Sequence, residues 1–137
     1  LVAAGIPTHV NVAPIIPAIN DLEIEAILER AAEAGAKTAS WIPLRLPHEV
    51  APLFQDWLQV HFPDGAGKVM SIVRSIREGR DNDPSFFQRM RGTGPWADLM
   101  RTRFKIAARK LRLNETKIQL RSDLFIPPRS DGQLALF

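Results

Sequence analysis

Cysteine is absent from this 137-residue chain, and that zero removes more chemistry than any other feature of the composition. These residues alone cannot build a disulfide scaffold, a thiolate zinc site, a thiol nucleophile or a cysteine-ligated iron–sulfur cluster. No apolar run approaches the roughly 18 residues of a membrane-spanning helix, and the chain start lacks the basic residues and apolar stretch of a secretory signal. The expected location is the cytoplasm. There is no glycine-rich phosphate loop, no G-x-S-x-G elbow and no H-E-x-x-H helix. His9, His48 and His61 share no metal-ligand spacing and read as structural or surface residues. Catalysis by this segment alone has no motif behind it. At 15.3 kDa the chain is also well short of a complete (β/α) barrel of about 250 residues.

With 45% hydrophobic and 24% charged residues, the composition is that of a folded protein rather than a disordered one. The net charge of +3 conceals a division. Residues 1–64 carry three basic and eight acidic side chains, a net of −5, whereas residues 65–137 carry fifteen basic and seven acidic, a net of +8. A basic second half suggests a surface for a polyanion; an acidic–basic contact within the chain would give the same count.

The opening Leu1-Val2-Ala3-Ala4-Gly5 reads as a helical turn stopped by glycine, so the chain is expected to begin in the middle of a fold. Residues 9–14 alternate apolar and polar, predicting a strand that runs into a proline-punctuated loop. Asn20 and Glu23 have capping-box spacing, and Ile24, Ile27, Leu28 and Ala31 follow at helical intervals. Gly35 stands where a C′ glycine belongs, which predicts a helix over 21–34. Residues 38–47 read as a second strand, parallel to the first through a βαβ connection. Parallel strands need neighbours and covering helices, so an upstream part of the fold is expected to be missing.

Beyond Pro47 the period becomes 3.6. Val50, Leu53, Phe54, Trp57 and Leu58 form one stripe, ending near Phe62-Pro63; Val69, Ile72, Val73 and Ile76 form another, ending at Gly79. Both need a partner surface. A turn at 81–85, a short helix at 86–90 and a long helix from Pro95 to about Leu111 complete this part, with one short strand expected at 117–120. The predicted organisation is thus 1–47 strands and helix, 48–113 helical extension, and 114–137 extended tail.

Ligands in parallel α/β folds bind beyond the carboxyl ends of strands, here Ala13-Pro14-Ile15 and Leu44-Arg45-Leu46. The Arg45 fork can hold a carboxylate or phosphate; the alternatives are that it snorkels or pairs with Glu49. Asn11 and Ser40 read as polar residues on an outward strand face. On the long helix, Trp96, Leu99, Met100, Phe104, Ala107 and Leu111 line one face, and Arg101, Lys105, Arg109 and Arg112 are expected opposite. That basic row is either a contact for nucleic-acid phosphates or a solvated face. Arg89 and Arg91 stand beside Phe86 and Phe87, a pair expected in the core rather than as a base-stacking platform.

The runs V-N-V-A-P-I-I-P-A-I-N-D-L-E-I-E-A-I-L and A-G-A-K-T-A-S-W-I-P-L-R-L-P-H-E-V, with F-x-x-R-M-R-G-T-G-P further on, resemble the later barrel strands and extension of radical SAM enzymes. The nearest likeness is to the group of DNA repair photolyases related to spore photoproduct lyase. The resemblance covers essentially the whole chain, with P-I-I-P-x-x-N-D and L-R-L-P-H-E-V its most specific parts. It implies the C-terminal βαβ portion of a partial (β/α) barrel followed by a mostly helical extension. In the full-length protein a [4Fe-4S] cluster, bound by three cysteines of an upstream motif, would cleave S-adenosylmethionine to a 5′-deoxyadenosyl radical. By motif position, Ala13 and Pro14 would lie near that cofactor, and the Leu44–Leu46 run, with Arg45 and Leu46, near its adenine. The family's P-G-L-N-D loop is Pro17-Ala18-Ile19-Asn20-Asp21 here, and Ala18 in place of glycine puts a left-handed turn there in doubt while leaving the cap at Asn20 intact. The other reading is a non-enzymatic basic module that binds DNA or a partner protein. Gln133, Leu134, Leu136 and Phe137 are similar to the Q-L-x-L-F peptide by which bacterial repair proteins dock on the DNA polymerase sliding clamp, which is the reading preferred over a tail whose apolar end packs on its own domain.

Overall fold

A computed structural model describes residues 1–115 and 123–126. The order of elements is β1 (His9–Ile15), α1 (Ile24–Glu33), β2 (Thr38–Pro43), α2 (Val50–His61), α3 (Ala66–Ser75) and α4 (Gly94–Lys110). The protein is mixed α/β, with β1 and β2 pairing in parallel in the register His9↔Thr38, Asn11↔Ser40 and Val12↔Trp41. The register slips between Val12 and Ile15, and the Ala13–Pro14 peptide there is cis.

Local chemistry explains most of these boundaries. Val2–Ala4 is a single 3₁₀ turn ended by Gly5 at φ 71°. Helix α1 stops at a left-handed Gly35, φ 90°. The Gly35 N–H donates to the Ala32 carbonyl and the Ala36 N–H to the Ala31 carbonyl, each at 2.9 Å, which satisfies two end carbonyls in the Schellman pattern. A side chain at Gly35 would also collide with Val2, whose Cγ1 lies 2.6 Å from where a Cβ would stand.

Four local expectations fail. The second strand ends at Pro43 rather than running to residue 47. Asn20 does not cap the helix, which opens instead with a 3₁₀ turn at Asp21–Glu23. Its amide is spent on the preceding loop, accepting from the Ile16 N–H (2.7 Å) and donating to the Pro14 carbonyl (3.1 Å). Ala18 does take the left-handed turn that its side chain disfavours, at φ 59°. Bonds from the Ile19 and Asn20 N–H groups to the Ile16 carbonyl, both 3.2 Å, close that turn around it. Residues 86–90 form turns and no helix, because Phe87, inside the turn that the Arg89 N–H closes on the Ser85 carbonyl, stands at φ 70° in the left-handed region.

Two buried clusters hold the described residues together. In the first, Val12, Ile15 and Ala39 of the sheet meet Ile24 and Leu28 of α1 and Met100, Phe104 and Ala108 of α4. Helices α1 and α4 thus cover the same face of the sheet. A bidentate ion pair crosses between them, Arg103 Nε to Glu25 Oε1 at 2.8 Å and Nη2 to Oε2 at 2.6 Å, and Trp96 Nε1 donates to Asp21 Oδ2 at 3.2 Å. This hydrogen-bonded arginine holds the Glu25 carboxyl below its ordinary range against a smaller opposing effect of burial. The second cluster gathers Leu44 and Leu46, just past β2, with Leu58 of α2 and Ala66, Val69, Met70 and Val73 of α3. The first cluster draws on both the 1–47 and the 48–113 stretches. No helix among the described residues is long and apolar enough to cross a membrane.

Candidate functional site

The carboxyl ends of β1 and β2 lie side by side, tied by the Leu44 N–H donating to the Ile15 carbonyl at 2.8 Å. Ala13 and Pro14 are exposed there. Leu46 turns the other way, 1% exposed inside the second cluster, so its side chain is committed to packing. Arg45 is half-buried and makes no ion pair with Glu49, the partner four residues on that the spacing suggests. Its Nη1 instead rests 3.8 Å from Met90 Sδ, and its Nε is buried with no hydrogen-bond partner.

The sheet face away from α1 and α4 is polar. His9 Nδ1 lies 2.9 Å from Thr38 Oγ1, His9 Nε2 lies 2.8 Å from Ser40 Oγ, and Ser40 donates to Asn11 Oδ1 at 2.9 Å. With the one Ser40 hydroxyl hydrogen given to Asn11, the histidine donates to Ser40 from Nε2, and its Nδ1 faces the Thr38 hydroxyl. A ring held this way has no lone pair facing Ser40, so the row can orient a ligand but does not activate the serine as a nucleophile. Asn11 and Ser40 are therefore joined in one network, a link that alternation alone did not reveal. The strand pairing that makes it crosses 29 residues of chain.

Arg77 was missed in the sequence, where it follows the apolar stripe as one more basic residue of that half. It is 1% exposed, with Nη2 donating to the Leu44 carbonyl (3.1 Å) and Nη1 to the Gln88 carbonyl (3.3 Å), while its Nε has no partner. Burial, and then the neighbouring charge of Arg45, push its pKa down, partly offset by Asp83. Asp83 itself accepts from the Ser85 N–H at 2.8 Å, and the Ser85 hydrogen bonds hold its carboxyl below the usual range. Only a deeply buried cation with two carbonyl partners distinguishes Arg77 from its neighbours, and no local pattern encodes that.

Of the basic row, Arg101, Lys105 and Arg109 are exposed on α4, whereas Arg112 lies past the helix end at φ 57°. Arg101 pairs with Asp98, and Arg112 Nε approaches Glu115 at 3.3 Å. The row does not stand opposite the buried face. Burial centres on Ala97, Met100, Phe104 and Ala108, and at about 100° per residue the row falls on the adjoining flank. Leu99, expected on the buried face, is exposed for the same reason. Phe86 and Phe87 are corrected too: they are 72% and 84% exposed rather than in the core, with the Arg89 guanidinium 4.3 Å above the Phe86 ring. Gln133, Leu134, Leu136 and Phe137, and the strand expected at 117–120, lie outside the described residues.

Among the described residues no group of three or more His, Asp or Glu side chains is arranged to hold a metal ion. Comparison of the chain with known protein families, curated proteins and solved structures finds no match.

Proposed function

We propose that this chain is the C-terminal portion of a radical SAM enzyme, a lyase of the DNA repair photolyase-like group, working with a cysteine-bearing part that it does not itself contain. The observation that carries the reading is the parallel β1–α1–β2 unit with one face under helices and the other lined by the His9, Asn11, Thr38 and Ser40 network. A two-stranded parallel sheet with a polar face that the described residues leave uncovered suits one wall of a larger barrel better than a self-sufficient domain. The sequence resemblance supplies the rest of the argument, and the fold alone would not.

The residues present fit the two implied groups unequally. A [4Fe-4S] cluster needs thiolates, and the chain has none, so it contributes no ligand of that kind. S-adenosylmethionine, when bound, supplies the 5′-deoxyadenosyl group to the chemistry. What this chain has to offer it is the exposed Ala13 and Pro14 and the Arg45 guanidinium at the strand ends, with the Leu46 side chain withdrawn into the core.

The test is anaerobic reconstitution with iron and sulfide. The chain alone is expected to take up no cluster and form no 5′-deoxyadenosine from S-adenosylmethionine; the protein completed with its cysteine-bearing part is expected to form it. A stable cluster on the isolated chain, or a completed protein that does not cleave the cofactor, would overturn the reading. Failure there would leave the basic module that binds DNA or the sliding clamp, for which the exposed Lys105 and Arg109, free of ion pairs among the described residues, speak.

A further inference from the structure

We infer that the cavity bordered by Trp41, Met90, Arg91 and Arg101, with Arg45 in contact with Met90, binds a phosphate ester that carries a planar ring. The cavity encloses about 300 Å³, at the lower end of the range for small-ligand sites. Three elements far apart in sequence converge on it: the end of β2, the turn before α4, and the flank of α4. This site asks nothing of iron–sulfur chemistry; it shares only Arg45 with the function proposed above, and its test needs no cluster.

The charge arrangement points to an anion. Arg45, Arg77 and Arg91 make no ion pair among the described residues, and Arg101 has the exposed Asp98. Arg45 and Arg77 each hold a buried Nε without a partner. The nearest acceptor to Arg45 Nη1 is the Met90 thioether at 3.8 Å, a weak acceptor for a full positive charge. Buried or half-buried guanidiniums left in this state are costly, and repulsion between Arg45 and Arg77 adds to the cost. Asp83, the nearby carboxylate, spends an oxygen on the Ser85 N–H. A phosphate group would bring negative charge and lone pairs in the geometry that guanidinium forks match.

The geometry gives each side chain a role. Arg91 and Arg101 are exposed and can close on phosphate oxygens from the rim. Arg45 becomes available when the Met90 side chain, 40% exposed and flexible, swings aside. Arg77 is a positioning residue: through the Leu44 and Gln88 carbonyls it ties the Arg45 backbone to the turn that carries Met90 and Arg91. Trp41 is half-buried, backed by Phe104 with ring centroids 6.5 Å apart, so a rigid aromatic wall borders the arginines. A wall of that kind favours a phosphate attached to a flat ring over a bare oxyanion.

Titration calorimetry with adenosine 5′-monophosphate, adenosine, inorganic phosphate and hexathymidylate tests the site on the full chain. Adenosine monophosphate is expected to bind, inorganic phosphate more weakly, and adenosine not at all. The double variant Arg91→Gln/Arg101→Gln, both positions exposed, should weaken binding at least about tenfold, and Lys105→Gln/Arg109→Gln by less than about twofold. Met90→Ala should tighten binding severalfold in the native background and leave it unchanged beside Arg45→Gln. Hexathymidylate binding tighter than the mononucleotide assigns the phosphate to a nucleic-acid strand, and the reverse order to a free nucleotide. Equal weakening by the two double variants, adenosine binding as tightly as its phosphate, an equal Met90→Ala effect in both backgrounds, or no binding of the mononucleotide up to about 10 mM, less than 3 kcal/mol, would each overturn the proposal.

Discussion

Helices α4 and α2 carry apolar residues at the same helical spacing, yet they meet opposite fates. Against the sheet and α1, α4 buries Met100, Phe104, Ala107 and Ala108. Helix α2 fully buries only Leu58, while Leu53 and Val60 stay 63% and 73% exposed and Trp57 stacks with Phe54 at 5.7 Å on the half-covered side. Amphipathic periodicity announces that a helix has an apolar face, but how much of that face is buried depends on how wide a surface meets it. Helix α4 lies against a sheet and a helix together; α2 meets the shorter α3 and the chain just past β2.

The largest effect that would separate the two regions is truncation in each. Leu28→Ala, at a site with 0% exposure between sheet and helices, is expected to destabilise the protein by about 2–5 kcal/mol. Leu53→Ala on the open side of α2 should stay within about 0.5 kcal/mol. Urea denaturation of both variants measures the contrast, and comparable losses would mean that the exposed stripe of α2 is covered in solution.

A smaller effect is expected at the edge of the first region. Asn114 sits beyond α4 at φ 64°, and its side-chain amide pairs with β2 as a neighbouring strand would, accepting from the Ala39 N–H at 2.8 Å and donating to the Ala39 carbonyl at 3.0 Å. Its own N–H donates to the Lys37 carbonyl at 3.0 Å. Asn114→Ala removes both side-chain bonds from a partly buried strand edge and should cost about 1–2 kcal/mol in the same denaturation measurement. Faster hydrogen exchange at the Ala39 amide should accompany it; unchanged protection there would show that the strand edge is satisfied in another way.

The smallest expected effect lies in the Glu25–Arg103 pair. Because the folded carboxyl is held below its ordinary value, the pair's stabilisation is complete at neutral pH. It is lost as acid takes the pH below about 4.3, the unfolded glutamate value, and through the lower folded one. Glu25→Gln should therefore lower stability slightly at pH 7 and by less near pH 3, with partial exposure of the pair keeping the difference small. Thermal melts at the two pH values provide the check, and an equal loss at both would assign the effect to packing.

What local sequence can express was legible. Glycine at 5 and 35 ended turns of helix because a left-handed residue without a Cβ is a local requirement. The βαβ order and parallel pairing followed from strand, helix and strand with short connections, since a right-handed crossover leaves few other solutions. Asn20 was misread because an amide that can cap a helix can equally hold the loop before it, and the choice depends on where Pro14 and Ile16 present their backbone. Phe86 and Phe87 were misread because their apolar character says nothing of whether a surface waits for them.

The candidate sites divide in the same way. Arg45, Ala13 and Pro14 are candidates that strand ends and motif position single out, features of one stretch of chain. Arg77 and the meeting of Trp41 with Met90, Arg91 and Arg101 were beyond reach, because they join residues up to 60 positions apart. By itself the sequence determined the order of strand and helix, the glycine stops at 5 and 35, the parallel pairing of β1 with β2, the polar alternation of β1 and the absence of any thiolate, since each rests on backbone preference, spacing or composition. Tertiary structure alone decided which apolar stripe is covered, that Ala18 takes a left-handed turn, that Asn114 completes a strand edge and that one arginine is buried beside another. Those outcomes turn on the desolvation and hydrogen bonding of groups brought together from distant parts of the chain, and only the folded arrangement determines which groups those are.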